Sequence, residues 1–212
     1  ISEHAFLHDM IINLPVPKTH YLTTASIAMK NLKGLVKRED KPLFHRVGLD
    51  GAVVALNAII RPFINLVDFT AQAGHPASFV LAGRDIVAVD SVSAALMGLA
   101  PDAVQTVRLG CKAGLGEMRL EEIEIRGEDI KGLKMHYELP AEWLARTFPT
   151  LTISGEDTAC SGCIIPLFAA LRRLAEQSRA FAHPLTIALG AAPAAKGSGA
   201  VLAVGRCPSP LV

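Results

Sequence analysis

Five short apolar runs, at residues 10–14, 63–67, 79–82, 185–189 and 201–204, alternate along the chain with helix-length stretches and Gly- or Pro-bearing loops. Runs this short suit strands buried on both faces rather than helices. The alternation therefore predicts an α/β fold: a mostly parallel layered sheet with helices on both faces, plus a small C-terminal α/β unit that carries cysteines. A main domain over residues 1–150 and a second unit over 151–212 are the expected boundaries. Helices are expected from Thr23 or Thr24 to Leu35, over 50–60 ahead of Pro62, over 86–97 with Asp85 as cap, from Pro101 toward Leu109, and over 164–179. Residues 17–20 read as a loop. Residues 121–126, where Ile123 and Ile125 alternate with charge, suit an edge strand, and 138–149 a linker with one helical turn near Trp143.

Composition narrows the function. The 212 residues are 50% hydrophobic with a net charge of +1, which gives no reason to expect nucleic acid or an anionic membrane as partner. No apolar run reaches the roughly 18 residues that span a bilayer. Four unevenly placed cysteines in a chain of this length do not form a disulfide framework, so a reducing, cytoplasmic setting is expected. The first residues, Ile1-Ser2-Glu3-His4, include no initiator Met and no signal-peptide pattern, so the true start is expected to lie upstream.

Cys160 and Cys163 form a C-S-G-C at the mouth of a predicted helix, and Cys207 follows in a Cys-Pro step. Thiolates at this spacing grip one metal or cluster, and a helix N-terminus favours the anionic form. An iron–sulfur cluster, 4Fe-4S or 3Fe-4S, that moves electrons to an electron-transfer protein is the sharpest reading. Zinc, a redox dithiol of Cys160 and Cys163 alone, and ordinary buried thiols remain open alternatives. Cys111 stands apart and reads as a buried small residue.

In open α/β sheets, ligands bind beyond the carboxyl ends of the strands. Lys18 and His20 follow the first apolar run, Asp68 ends the second, and Asp85 follows the third. Lys30 and Asn31 lie on the first predicted helix, and His45 lies in the loop after it. Together they outline a polar cleft for a small anionic ligand. Lys18, His20, Lys30, Asn31 and Asp68 would do acid–base chemistry on a carboxylate or phosphate, and His45 and Asp85 would bind it. A module that only holds an anion needs the same residues, so enzyme and binding protein both stand. The structural alternative is a helix cap for Asp85 and a solvated charge for Lys30. Asp90, inside an apolar helix, needs a partner whatever its role.

The segments 13–20 (N-L-P-V-P-K-T-H), 28–34 (A-M-K-N-L-K-G), His45, 66–68 (L-V-D) and 81–90 (L-A-G-R-D-I-V-A-V-D) resemble the family called domain of unknown function 362. The resemblance implies an iron–sulfur association but no settled reaction. It also implies an α/β segment ahead of Pro17-Lys18-Thr19-His20, so that another chain would complete the main sheet if that segment is lost. A Gly-Cys-Pro-Pro step after Cys207, usual in the family, is absent, so a fourth cluster ligand would come from elsewhere.

Overall fold

The run at 63–67 becomes β4, Ile64–Asp68, the centre of a three-stranded sheet in the computed structural model, which describes residues 1–70, 78–156, 159, 161–179, 181–190 and 199–205. Internal contacts divide the chain into a unit Ile1–Tyr137 and a unit Glu138–Val212. Both are α/β. Among the described residues no helix is long and apolar enough to cross a membrane.

In the first unit, β1 (Ile12–Asn13) pairs parallel with β4, and β5 (Val80–Gly83) pairs antiparallel with it. This sheet is therefore mixed, where a mostly parallel one was expected. The connection from Asp68 to Val80 is shorter than the crossover of about a dozen residues or more that a parallel neighbour requires. The antiparallel register, with Asp68 opposite Val80 and Asn65 opposite Gly83, puts Asp68 and Asp85 at opposite ends of the sheet.

One face of the sheet, with Asn13, Asn65 and Val67, is buried under the helices. Val67 and its neighbours Met29, Val53, Val87 and Leu96 are almost wholly excluded from water. Each such side chain contributes about 1.5–3 kcal/mol by burial. On the other face Ile12, Leu14 and Val80 are exposed, so among the described residues helices cover one face only.

Residues 18–26, expected to pass from loop to helix, form a β-hairpin instead: β2 (Lys18–His20) pairs antiparallel with β3 (Thr24–Ser26). Thr24 turns the chain in a left-handed conformation, φ 61°. The hairpin delays the helix, so α1 (Ala28–Asn31) is a single turn continued by a 3₁₀ turn over Leu32–Leu35. There follow α2 (Lys41–Arg46), α3 (Leu49–Ile59), α4 (Ile86–Leu96) and α5 (Gln105–Lys112). Asp85 caps α4 as expected, accepting the N–H groups of Val87 and Ala88 at 2.9 Å. Residues 121–126 contain a 3₁₀ turn, Leu120–Glu122, rather than a strand. Glu117 and Glu124 bond locally to Arg119 and Arg126 there, which satisfies the charges without a sheet partner.

The second unit opens with α6 (Pro140–Thr147), a two-turn helix that starts on a proline suited to a first helical position. Then come β6 (Leu151–Ser154), α7 (Ser161–Glu176), β7 (Leu185–Ala188) and β8 (Ala200–Ala203). The sheet β6-β7-β8 is parallel throughout. Helix α7 starts three residues before the expected 164, so Cys163 lies in its first turn. Ser161 and Gly162 are poor helix formers, but a first turn whose N–H groups lack intrahelical partners tolerates them.

Candidate anion-binding site

Strand β2 sets the first two groups of the site. Residues two apart on a strand face the same side, so Lys18 and His20 share a face. The His20 ring closes the hairpin: its Nδ1 accepts the N–H of Leu22 at 3.1 Å and of Thr23 at 3.4 Å. An accepting Nδ1 carries no proton, so His20 is neutral with Nε2–H free to donate. Its pKa is lowered to about 3, first by burial and then by the charges of Lys30 and Lys33, with the His45 ring and Lys18 adding less.

Helix α1 and the following 3₁₀ turn add Lys30 and Lys33, one turn apart on the same side. Lys30 is buried, and its Nζ donates to Thr23 Oγ1 at 3.1 Å. The Thr23 hydroxyl gives its own proton to the Ala25 carbonyl at 2.7 Å, so toward Lys30 it only accepts. Burial, then the neighbouring Lys33, lower the Lys30 pKa to about 7, with Asp50 opposing and Lys18 adding to the drop.

Helix α2 supplies His45, whose Nε2 lies 2.9 Å from Lys33 Nζ. An ammonium only donates, so Nε2 accepts and the His45 proton sits on Nδ1. That Nδ1 is buried with no hydrogen-bond partner among the described residues. Asp50, in the first turn of α3, has an Oδ1 in the same condition, and burial raises its pKa despite Lys30. Three lysines and two neutral imidazoles thus act on one another's charge with Asp50 the one opposing carboxylate among the described residues, and two buried polar atoms among them lack partners there.

The backbone under this cluster is held by a polar network. Asn13 Nδ2 donates to Asn65 Oδ1 at 2.9 Å and to the Ala28 carbonyl at 3.0 Å. Asn31 Nδ2 reaches Asn13 Oδ1 at 2.8 Å, and Asn57 Nδ2 donates to the Met29 carbonyl at 2.9 Å. Asn31 therefore ties α1 to β1. Asp90 finds the partners its burial demands in the N–H groups of Ala28 and Met29.

Of the residues singled out from sequence, Lys18, His20, Lys30 and His45 come together. Asp68 does not join them: it bonds to the Thr70 N–H and hydroxyl, which hold its pKa below the usual carboxylate range. Asp85 spends Oδ1 on the α4 cap and Oδ2 on the Glu117 N–H at 2.9 Å. Lys33 and Asp50 were missed. The spacing of Lys33 from Lys30 was a readable signal, whereas Asp50 reads only as the acidic start of a helix.

In the second unit Cys163 is buried. A Cβ built on Gly205 would lie 2.5 Å from Cys163 Sγ, so the chain leaving β8 passes directly against this sulfur. Gly155 and Gly205, just past β6 and β8, both have positive φ, 83° and 99°. Cys160 and Cys207 lie outside the described residues. Among the described residues no group of three or more His, Cys, Asp or Glu side chains is arranged to hold a metal ion.

The first unit is thus an α/β domain with a partly buried, cation-rich site. Residues 1–95 match the model of the family described as Domain of unknown function (DUF362). The matched segment includes every residue of the lysine–histidine cluster, while the three cysteines of the second unit lie beyond it. No curated protein and no solved structure matches the chain.

Proposed function

We propose that the first unit binds a small carboxylate or phosphate in the cluster of Lys18, His20, Lys30, Lys33 and His45, with Lys30 as its acid–base group. The observation that carries this reading is the grouping of three lysines and two neutral histidines with Asp50 as the single opposing carboxylate among the described residues. Like charges held this close and partly desolvated are costly, and an anion relieves the cost. The Nε2–H of His20 and the unpartnered Nδ1–H of His45 are neutral donors suited to anion oxygens. Lys30, with its pKa near neutrality, exchanges a proton readily at pH 7. Asn31, Asp68 and Asp85 are left with supporting roles. Calorimetric titration with lactate and with inorganic phosphate tests this. Binding by the intact chain and at least a tenfold loss in Lys33→Met are expected, because a charge-assisted hydrogen bond contributes about 1.5–3 kcal/mol.

A second reading concerns the second unit, and the approach of Gly205 to Cys163 Sγ favours it. Strands β6 and β8 run parallel through β7, so their carboxyl ends, the first turn of α7 and Cys163 share one edge of the sheet. In this reading Cys160, Cys163 and Cys207 hold an iron–sulfur cluster, 4Fe-4S or 3Fe-4S, or alternatively zinc. A bound cluster would exchange electrons with an electron-transfer protein in a reducing, cytoplasmic compartment. The chain's own part is to keep thiolates at the positive end of α7 and to bring backbone close to sulfur at a glycine. An anaerobic visible spectrum with iron, zinc and sulfide analysis, on the intact chain and on Cys163→Ser, separates these outcomes. Broad absorbance near roughly 400 nm with iron and sulfide supports a cluster. The apolar outer face of the first sheet, at Ile12, Leu14 and Val80, supports the fully layered arrangement, with a covering element from this chain or another.

A further inference from the structure

We propose that Lys30 is a nucleophilic amine that forms an imine with a small carbonyl compound bearing a carboxylate, an oxo acid, whose anionic group rests on Lys33, Lys18 and His20. The inference deepens the anion-site reading and rests on it. Three features of the cluster lead to it. First, Lys30 is buried and has no carboxylate within ion-pair distance among the described residues; its bonded neighbour is the Thr23 hydroxyl. Second, that hydroxyl is committed as donor to Ala25, so it takes one N–H of Lys30 and fixes the direction of the amine without protonating it. Third, Lys33, one turn along the same side, acts on Lys30 more strongly than the opposing Asp50, an arrangement that favours a neutral, reactive amine.

The chemistry balances with groups at hand. The Nζ lone pair attacks the carbonyl carbon, the C=O π pair moves to oxygen, and a proton passes from nitrogen to that oxygen to give a carbinolamine. Loss of the hydroxyl as water, with a proton leaving nitrogen, forms the C=N bond. No oxidant or reductant enters. Asp50, half-buried and with Oδ1 unpartnered among the described residues, takes as a carboxylate the proton that nitrogen sheds on attack and passes it to the departing hydroxyl. The His45 Nδ1–H, equally without a partner among the described residues, steadies the carbinolamine oxygen. Thr23 is a positioning residue.

The test is reductive trapping. The intact chain is treated at pH 7 with glyoxylate or pyruvate and cyanoborohydride, digested, and each lysine scored by mass spectrometry. Labelling of Lys30 at least about tenfold above surface lysines is expected, since amines with an ordinary pKa near 10.4 are almost wholly protonated at pH 7. Labelling that is spread evenly, or absent from Lys30, overturns the proposal. Thr23→Val is expected to slow labelling of Lys30 while leaving surface lysines unchanged. Lactate, which has the carboxylate but no carbonyl, is titrated in parallel. Lactate binding without a Lys30 adduct sinks the imine and spares the anion site, whereas neither binding nor adduct sinks both.

Discussion

The carboxylate of Asp90 receives the backbone N–H groups of Ala28 and Met29, at 2.7 and 3.1 Å, from more than sixty residues away in sequence. It thereby fixes the start of the one-turn helix that carries Lys30 and Asn31, a helix too short to hold itself. Asp90→Ala leaves two buried N–H groups without acceptors and is expected to cost about 3 kcal/mol of stability, since each orphaned group costs about 1–3 kcal/mol. Asp90→Asn keeps one acceptor and is expected to cost less. Urea unfolding of the two variants checks the order.

A buried carboxyl and a half-buried imidazole give the first unit opposing pH dependences. Burial raises the Asp90 pKa to about 7, above the ordinary 3.8, so the folded chain holds the extra proton and stability falls as pH rises through that window. Burial and nearby lysines lower His20 from 6.5 to about 3, so its contribution falls as pH drops from 6.5 toward 3. Asp90→Asn is expected to abolish the first loss and His20→Gln the second. Denaturant midpoints measured from pH 4 to pH 7.5 show whether each variant flattens its own limb.

Binding of a carboxylate should strengthen as pH falls through about 7, because protonation of Lys30 adds a cation beside the ligand. Lys30→Met is expected to bind more weakly and to lose this dependence. Lactate is the suitable probe, since its own carboxylate does not titrate there.

Gly205→Ala is expected to destabilise the second unit by about 1–3 kcal/mol. The added Cβ meets Cys163 Sγ at 2.5 Å, and φ 99° disfavours any side chain. Thermal unfolding of the metal-free chain reads this directly.

Much of the fold was legible because its signals are local. The apolar runs at 63–67 and 79–82 gave β4 and β5 nearly to the residue, and Asp85 ahead of Ile86-Val87-Ala88 announced its own helix cap. The hairpin at 18–26 was hidden because Thr23, Thr24 and Ser26 read equally as helix caps and as strand residues. What decides it is a side-chain bond that residue type does not announce, the closure of the turn by the His20 ring. Strand direction was beyond local reading as well: the antiparallel β5 sends Asp85 away from Asp68, which the rule for parallel sheets does not anticipate. Within the site, Lys18, His20, Lys30 and His45 were visible as uncommon polar groups beside apolar runs. Asp50 acquires meaning only once α3 packs near α1.

The central claim is that the lysine–histidine cluster is an anion site, and its most direct measurement is the ring-proton NMR spectrum of His20 and His45 during titration with lactate at pH 6.5. The account predicts saturable shifts of both rings with one affinity, weakened at least about tenfold in Lys33→Met, as loss of a charged hydrogen bond requires. Rings that do not move while the fold is intact, or that shift linearly without saturation in both chains, would contradict it.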